Sequence, residues 1–382
     1  MIVLTLVLTT AGVAFLALAA YEVYATVLHA RGSSGPVAEA LCRAVWRMAR
    51  LTASRLPRTA RHQSLNRIGP LLLPALLTAL VALLVTGFAL IYLPWMPHHF
   101  KVDEAAEKTP PWLQALYFSG VTLTTLGYGD VVPRTMPMRF TALAEAGAGF
   151  IAIPLAVSYF LTVSGALERR RAAARALFHE AGHGPDAVPM LLARHHLDRR
   201  FVGLAAVLAD AARDLQGVLE THVEHPITHY FHPVNVHDGL PRILFLALEA
   251  AAVLRAFPDP ETYPEACGHP ALATLEETAR HALVEVSATL RVRPPTAPLA
   301  ALAGGGARLQ GRVARTRARL TEAGIVLRPN RTAAGSLYHS HRLSWELELR
   351  RLSLFLGYDW DEVSGDRNPI VAAEADALAD LP

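Results

Sequence analysis

The sequence predicts an all-α membrane protein that ends in a helical domain. The chain contains three long apolar runs, residues 2–28, 68–95 and 140–165. Each run is long enough to cross about 30 Å of hydrocarbon as a helix. In the rest of the chain, apolar residues recur at helical spacing and strand patterns do not alternate with helix patterns. Together these observations favour helices throughout the molecule.

The first apolar run predicts an N-terminal transmembrane helix over residues 1–30. It lacks the basic n-region of a signal peptide and is longer than a typical apolar signal segment, so a cleaved leader is the weaker alternative. Glu22 lies near the cytoplasmic end of this run. A carboxylate at that depth is expected to snorkel to the interface or to pair with an arginine.

The distribution of arginine predicts the orientation of the spans. Residues 31–67 form a basic linker with eight arginines against one glutamate, and four more arginines lie within residues 169–175. Both stretches are therefore expected in the cytoplasm, with the N-terminus outside, in a multi-pass protein of the cell membrane. They can meet the anionic headgroups of the lipid bilayer, so the positive charge requires no nucleic-acid partner. The two cysteines, Cys42 and Cys267, imply no disulfide framework.

The most specific motif lies between the second and third runs, where residues 125–130 read Thr-Leu-Gly-Tyr-Gly-Asp. A dehydrated potassium ion needs rings of oxygen in place of its hydration shell, and loops that aim backbone carbonyls at one axis supply them. Gly127 and Gly129 can adopt the positive φ that turns successive carbonyls the same way. Thr125 can add its hydroxyl oxygen. The motif therefore predicts a potassium filter rather than an ordinary glycine turn.

The residues before this loop predict a short re-entrant helix. Thr109 is expected as its N-cap, with proline in the first turn. The negative end of the helix dipole would then face a cation on the axis. Tyr128 is expected to point away from the axis and to pack against three aromatic residues of this helix: Trp112, Tyr117 and Phe118. For Trp112, a place in the aromatic belt at the membrane interface is an equal alternative.

The segment ALYFSGVTLTTLGYGDVVP, residues 115–133, resembles the pore loop of the two-transmembrane and tandem-pore potassium channel superfamily. Residues 68–170 resemble the whole pore module of its bacterial members, which covers a little over a quarter of the chain. The resemblance implies an outer helix, a pore helix, a filter and an inner helix in a homotetramer. It implies passive conduction with no cofactor beyond the potassium ions in the filter, so we expect no enzymatic activity.

The resemblance also assigns roles to individual residues. It makes the filter positions ion-coordinating: Thr125, Leu126, Gly127, Tyr128 and Gly129. It makes Asp130 the extracellular support of the filter. Some relatives pair this aspartate with a carboxylate of the pore helix, but Val121 stands at the matching position here. The support is therefore expected from Tyr117 and Trp112, and the inactivation behaviour is left open.

The third apolar run is expected to carry the gate. Gly149 lies at the offset from the filter where relatives place a hinge glycine, and close packing of helices through small residues is an equal alternative. Pro154 removes a backbone hydrogen bond and predicts a kink below that point. Glu145 is an ionisable residue inside the run and hence a functional candidate. It is placed to contact the pore helix or a neighbouring helix.

Residues 171–382 predict an α-helical cytoplasmic domain that tunes gating or assembly, in response to a stimulus or ligand that the sequence does not identify. Apolar stripes at helical spacing run through residues 201–218, 271–290 and 345–356. Residues 242–257 are apolar on most faces but too short to span a membrane, which is typical of a central buried helix. No cyclic-nucleotide or dinucleotide-binding pattern is present.

Two groups of histidines point to other functions. Residues 179–183 read His-Glu-Ala-Gly-His, a zinc-site pattern that would use His179 and His183 as weak metal candidates. Gly182 interrupts a helix there, which argues against a zinc site. A membrane-anchored sensor or zinc-dependent hydrolase with a secondary pore is the competing class. Metal binding or pH sensing by a second group would need three histidines to converge. Solvated loop histidines are favoured for that group: His222, His225, His229, His232 and His237.

Overall fold

The computed structural model describes residues 2–28, 35–96, 98–103, 108–182, 184, 186–292 and 305–366. The helices are α1 (Ile2–Val23), α2 (Pro36–Ala53), α3 (Arg58–Asn66), α4 (Ile68–Tyr92), α5 (Pro111–Leu123), α6 (Met136–Ala181), α7 (Ala187–His195), α8 (Leu204–Glu224), α9 (Leu240–Ala256), α10 (Pro264–Cys267), α11 (Pro270–Thr289), α12 (Gly305–Glu322), α13 (Arg331–Leu343), α14 (Glu346–Phe355) and α15 (Trp360–Ser364). The short strands are β1 (Phe100–Val102), β2 (Val131–Pro133), β3 (His196–Leu197) and β4 (Arg200–Phe201).

Three of the described helical segments are long and apolar enough to cross a membrane. They are Ile2–Val27, Arg58–Trp95 and Met136–Ala181, and each contains an 18-residue window of high mean hydropathy, 2.4, 2.5 and 1.9 respectively. The predicted all-α class with three candidate spans is confirmed. The third candidate span, α6, extends beyond the predicted apolar run because the alanines and arginines that follow the run are also good helix formers.

The chain forms two compact units. The first unit contains residues 1–45 and 70–164, and the second contains residues 46–69 and 165–382. The helix α6 begins in the first unit and ends in the second. The predicted domain boundaries, after residues 30, 67 and 170, stay predictions.

An aromatic cluster holds the first unit together. The ring of Phe118 on α5 lies edge-on to those of Tyr92 and Phe100, with centroids 5.1 Å away in both cases. Such edge-to-face pairs stabilise a core beyond the area that they bury. Phe100 lies on β1, opposite Pro133 of the antiparallel strand β2. Phe118 is thus part of this core, and its predicted packing against Tyr128 stays a prediction.

The helices α1 and α4 approach each other closely at two glycines. A Cβ atom at Gly12 would lie 2.6 Å from the carbonyl oxygen of Gly87, and a Cβ at Gly87 would lie 2.7 Å from Leu16 Cδ2. Small residues let the backbones of two membrane helices pack in this way. The additional N-terminal helix therefore packs against the second apolar helix.

Glu22 is buried and binds the start of a helix, so it does not snorkel to the interface. Its predicted pairing with an arginine stays a prediction. The backbone N–H groups of Val37 and Ala38, in the first turn of α2, donate to its carboxylate at 2.9 and 2.7 Å. The hydroxyl of Thr26 donates to it at 3.3 Å. A carboxylate at a helix N-terminus satisfies free N–H groups and complements the helix dipole. Glu22 thereby connects α1 to α2.

The second unit is built around α9, the central buried helix that residues 242–257 predicted. Nearly all of its residues are buried, and the helices α11, α13 and α14 pack against it. Its one carboxylate, Glu249, accepts hydrogen bonds from the Tyr338 hydroxyl at 2.6 Å and from Arg342 Nη1 at 2.8 Å. Arg342 Nε donates to Glu346 at 2.8 Å. These buried charges are paired, as a low-dielectric core requires.

Candidate functional site

The short helix α5 precedes the filter motif, as predicted, but its N-cap differs. The helix begins at Pro111, and Pro110 rather than Thr109 occupies the N-cap position. The side-chain amide of Gln114 donates to the Thr109 carbonyl at 2.9 Å. Proline at the first helical position has no N–H to leave unsatisfied. Two prolines therefore occupy the N-cap and the first position of α5.

The loop after α5 has an alternating backbone. Thr125, Gly127 and Gly129 have positive φ of 57°, 58° and 82°, whereas Leu126 and Tyr128 between them have negative φ. Alternation of this kind turns successive peptide planes so that their carbonyls face one direction, the requirement of a carbonyl-lined ion site. The sequence predicted positive φ for the two glycines and missed Thr125. A β-branched residue with positive φ is a strained outlier, which no local pattern indicates.

Backbone hydrogen bonds attach the first part of the loop to the pore helix. The N–H of Thr125 donates to the Thr122 carbonyl, and that of Leu126 donates to the Val121 carbonyl, both at 3.0 Å. Residues 124–129 are all exposed in the single chain. Because the loop lies between two membrane-spanning helices, its exposed polar backbone needs other protein or water around it.

Tyr117 contacts the aspartate that follows the loop. Its hydroxyl donates to Asp130 Oδ2 at 2.7 Å, while Asp130 Oδ1 accepts from the N–H of Val131 at 3.1 Å. The Asp130 carbonyl accepts from the N–H of Asp103, which follows β1, at 3.0 Å. The structure thus brings together two of the three residues assigned to filter support. The third, Trp112, has 58% of its surface exposed.

Glu145 connects three helices inside the first unit. It is fully buried, and its carboxylate accepts from the Tyr92 hydroxyl of α4 at 2.8 Å and from the Ser119 hydroxyl of α5. The Ser119 hydroxyl lies 3.0 Å from the Val85 carbonyl as well. The sequence indicated Glu145 but neither hydroxyl partner. A serine within an otherwise apolar pore helix is the signal that could have found one of them.

Gly149 lies against the end of the pore helix. A Cβ atom at this position would collide with the carbonyl group of Leu123, the last residue of α5. A Cβ at Gly147, two residues earlier, would have no described atom within 4 Å. The helix α6 continues through Pro154. These contacts favour the close-packing alternative for Gly149 over a freely pivoting hinge.

The structure describes only part of the zinc-site pattern at residues 179–183. His179 and Glu180 lie in the last turn of α6, and Gly182 follows with a φ of 70°. The Glu180 carboxylate lies 3.0 Å from Nε2 of His195. The second histidine of the pattern, His183, lies outside the described residues. Among those that are described, no group of three or more His, Cys, Asp or Glu could hold a metal ion.

The second histidine group is largely buried, so the prediction of solvated loop histidines is wrong. His222, His229 and His232 are only 1%, 5% and 3% exposed. Burial, and then the charge of Arg170, lowers the pKa of His229 to about 3. The pKa of His222 and that of His232 are lowered well below the usual value, chiefly by burial. These imidazoles are therefore neutral in the folded protein at neutral pH.

His232 belongs to a chain of buried contacts. Its Nε2 lies 2.7 Å from Nδ1 of His62 on α3, and Nε2 of His62 lies 3.3 Å from the Glu362 carboxylate on α15. Arg170 on α6 donates to the carbonyls of Thr228 and Phe231 at 3.2 and 2.7 Å. This network joins α3, the last part of α6, the histidine-rich turn and α15 within the second unit.

Comparison with known proteins finds similarity to one protein family over part of the chain. Residues 78–164 match the model of a protein family described as Ion channel. An uncharacterized membrane protein of Bacillus subtilis strain 168, YdjJ, is 25% identical over 240 residues, which is 62% of this chain. The match spans 66% of that relative's length. No solved structure matches the chain. The matches and the three candidate spans support an ion channel domain in a membrane protein.

Proposed function

We propose that this protein is a potassium-selective channel that conducts the ion passively through a pore formed by four copies of the chain. The alternating φ angles at Thr125, Gly127 and Gly129 carry this proposal. They allow the carbonyl groups of residues 125–129 to face a common axis. A ring of such carbonyls from four chains replaces the hydration shell of a potassium ion.

The exposed loop supports assembly into a tetramer. Residues 124–129 are exposed in one chain although they lie between two spans, and lipid tolerates no unsatisfied backbone. One filter motif occurs in the sequence, so each chain supplies one quarter of the pore. Neighbouring chains would cover the loop on one side. Water on the axis of the pore would hydrate it on the other side.

The elements around the loop have supporting roles in this proposal. The C-terminus of α5 directs the negative end of its dipole at the axis, which favours a cation there. Tyr117 holds Asp130 at the outer end of the filter, and Glu145 holds α5 between α4 and α6. The arginine-rich stretches predict an N-terminus outside the cell and the second unit in the cytoplasm.

Flux measurements on the purified protein in liposomes test the proposal. We expect potassium uptake well above sodium uptake for the parental chain and loss of this preference in Gly127→Ala, because alanine resists positive φ. Gly120→Ala is the matched control: Gly120 lies in α5, has negative φ, and an added Cβ would have no described atom within 4 Å. A Gly127→Ala variant with the parental preference would show that the filter assignment is wrong.

A further inference from the structure

A cleft separates α12 from α13 in the second unit. Its volume is about 710 Å³, within the range of small-molecule sites. Each helix lines it with one stripe at helical spacing: Gln310, Val313, Ala314, Arg317, Ala318 and Thr321 from α12, and Arg331, Thr332, Gly335, Ser336 and His339 from α13. None of these lining residues is acidic. The cleft is therefore basic, and hydroxyl groups line it on both sides.

The side chains of the two stripes are too small to pack α12 against α13. Alanine, glycine, serine and threonine predominate where tightly packed helices would interdigitate larger apolar side chains. A Cβ atom at Gly335 would have no described atom within 4 Å, so the floor of the cleft is open at this position. The two stripes therefore border an open cleft and do not form a packed core.

The arginines of the cleft lack a counter-ion among the described residues. Arg317 Nη1 is buried and has no hydrogen-bond partner there. Burial, and then the charge of Arg331, lowers the pKa of Arg317. A buried guanidinium nitrogen without an acceptor destabilises the fold, and a second guanidinium close by adds like-charge repulsion. An anion bound between the two arginines would relieve both effects.

We propose that this cleft binds a phosphate-bearing small molecule. The guanidinium groups of Arg317 and Arg331 hold the phosphate, because their planar donors match its oxygens. The hydroxyls of Thr321, Thr332 and Ser336 supply further donors, and the start of α13 adds the positive end of a helix dipole. The small apolar residues of both stripes leave room for the rest of the ligand.

Calorimetric titration of the full-length protein with sodium pyrophosphate tests the site. The protein is held in phosphatidylcholine nanodiscs, and ion flux plays no part in the readout. We expect saturable binding, weakened about tenfold or more when Arg317→Gln and Arg331→Gln are combined, since two charge-assisted contacts are lost. Failure of this test leaves the proposed channel function untouched, and failure of the flux test leaves this one untouched.

Two further variants separate the cleft from general electrostatic attraction. Gly335→Leu fills the open floor while leaving both arginines, and leucine suits a helix better than glycine, so we expect a folded protein that no longer binds. Arg319→Gln removes one charge from the same helix at an exposed ion pair with Asp186, so we expect unchanged binding. Circular dichroism confirms that each variant is folded. No saturable heat in the millimolar range, or equal binding by parent and Gly335→Leu, overturns the proposal.

A second titration identifies the source of the phosphate group. The nanodiscs are prepared with anionic phosphatidylglycerol in place of half of the neutral lipid, and pyrophosphate is added as before. We expect the same affinity in both membranes, because the ligand is a soluble molecule. If the anionic lipid abolishes pyrophosphate binding, a lipid headgroup occupies the cleft and a soluble ligand is ruled out.

Discussion

Glu145 is a buried carboxylate inside an apolar run, and its partners come from two other helices. Its carboxylate accepts hydrogen bonds from hydroxyls of two other helices, so a polar contact joins α4, α5 and α6 where apolar packing would otherwise be expected. Within hydrocarbon, a polar group must find its partners inside the protein. The pore helix is thereby fixed to both spans at Ser119, six residues before Thr125.

We predict that Glu145→Ala destabilises the protein more than Glu145→Gln. Alanine leaves the buried Tyr92 hydroxyl without an acceptor, which costs about 1–3 kcal/mol, whereas glutamine retains an acceptor oxygen. Ser119 keeps its contact with the Val85 carbonyl in both variants. Thermal unfolding of the purified protein gives the measurement. The control is Glu168→Ala, which removes an exposed carboxylate from the same helix, and equal losses in all three variants would contradict this role.

Among the elements, α6 and α5 have a contact that places the third span next to the loop of residues 125–129. Gly149 lies directly against the carbonyl group of Leu123, two residues before Thr125. The helix α6 therefore packs on the end of α5, next to the loop of residues 125–129, through a glycine. A movement of α6 at this point would therefore displace α5 and the loop that follows it as well.

We predict that Gly149→Ala impairs both potassium selectivity and stability. The added Cβ must push α6 away from α5, since the colliding atom belongs to the backbone and has no rotamer to change. Gly147→Ala, the matched control, adds a Cβ to an open position on the same helix and should leave selectivity near the parental value. The measurement is the ratio of potassium to sodium flux in liposomes. A selective Gly149→Ala channel with altered open probability would restore the hinge interpretation.

The elements also show what the sequence could predict and what it could not. The spans and α5 are encoded by contiguous residues, so periodicity and composition were sufficient to predict them. The partners of Glu22 and Glu145 come from other helices, and no spacing rule connects such residues. The same holds for His62 and His232, which are 170 residues apart and whose ring nitrogens lie 2.7 Å apart. Burial of His232 depends on the packing of the whole second unit, so its place in a loop suggested solvent.

At the scale of the whole molecule, the buried histidines make the stability of the second unit depend on pH. The pKa of His229 in the folded protein, about 3, lies below the value of about 6.5 expected in the unfolded chain. The unfolded state therefore binds more protons below pH 6.5. The contribution of this histidine to stability is complete above that pH and is lost as the pH falls towards 3. His222 and His232 act in the same direction.

We predict that acid lowers the free energy of unfolding of the second unit, and that His229→Gln reduces this dependence. Each histidine that is neutral when folded contributes a slope of about 1.4 kcal/mol per pH unit below pH 6. Denaturation of the full-length protein, followed by circular dichroism between about pH 7 and pH 5, measures the slope. His281→Gln removes an exposed histidine and should leave it unchanged. A parental slope in His229→Gln would mean that this imidazole is protonated in the folded protein.

We propose that residues 125–129 of four chains form a filter that selects potassium. The most direct test is the reversal potential of the purified protein in a planar bilayer, with potassium on one side and sodium at equal concentration on the other. If the carbonyl rings select potassium, we expect a large reversal potential. Its sign should be the one that opposes the flow of potassium out of the potassium side. A reversal potential near zero, with measurable current, would show that residues 125–129 do not form a potassium-selective filter.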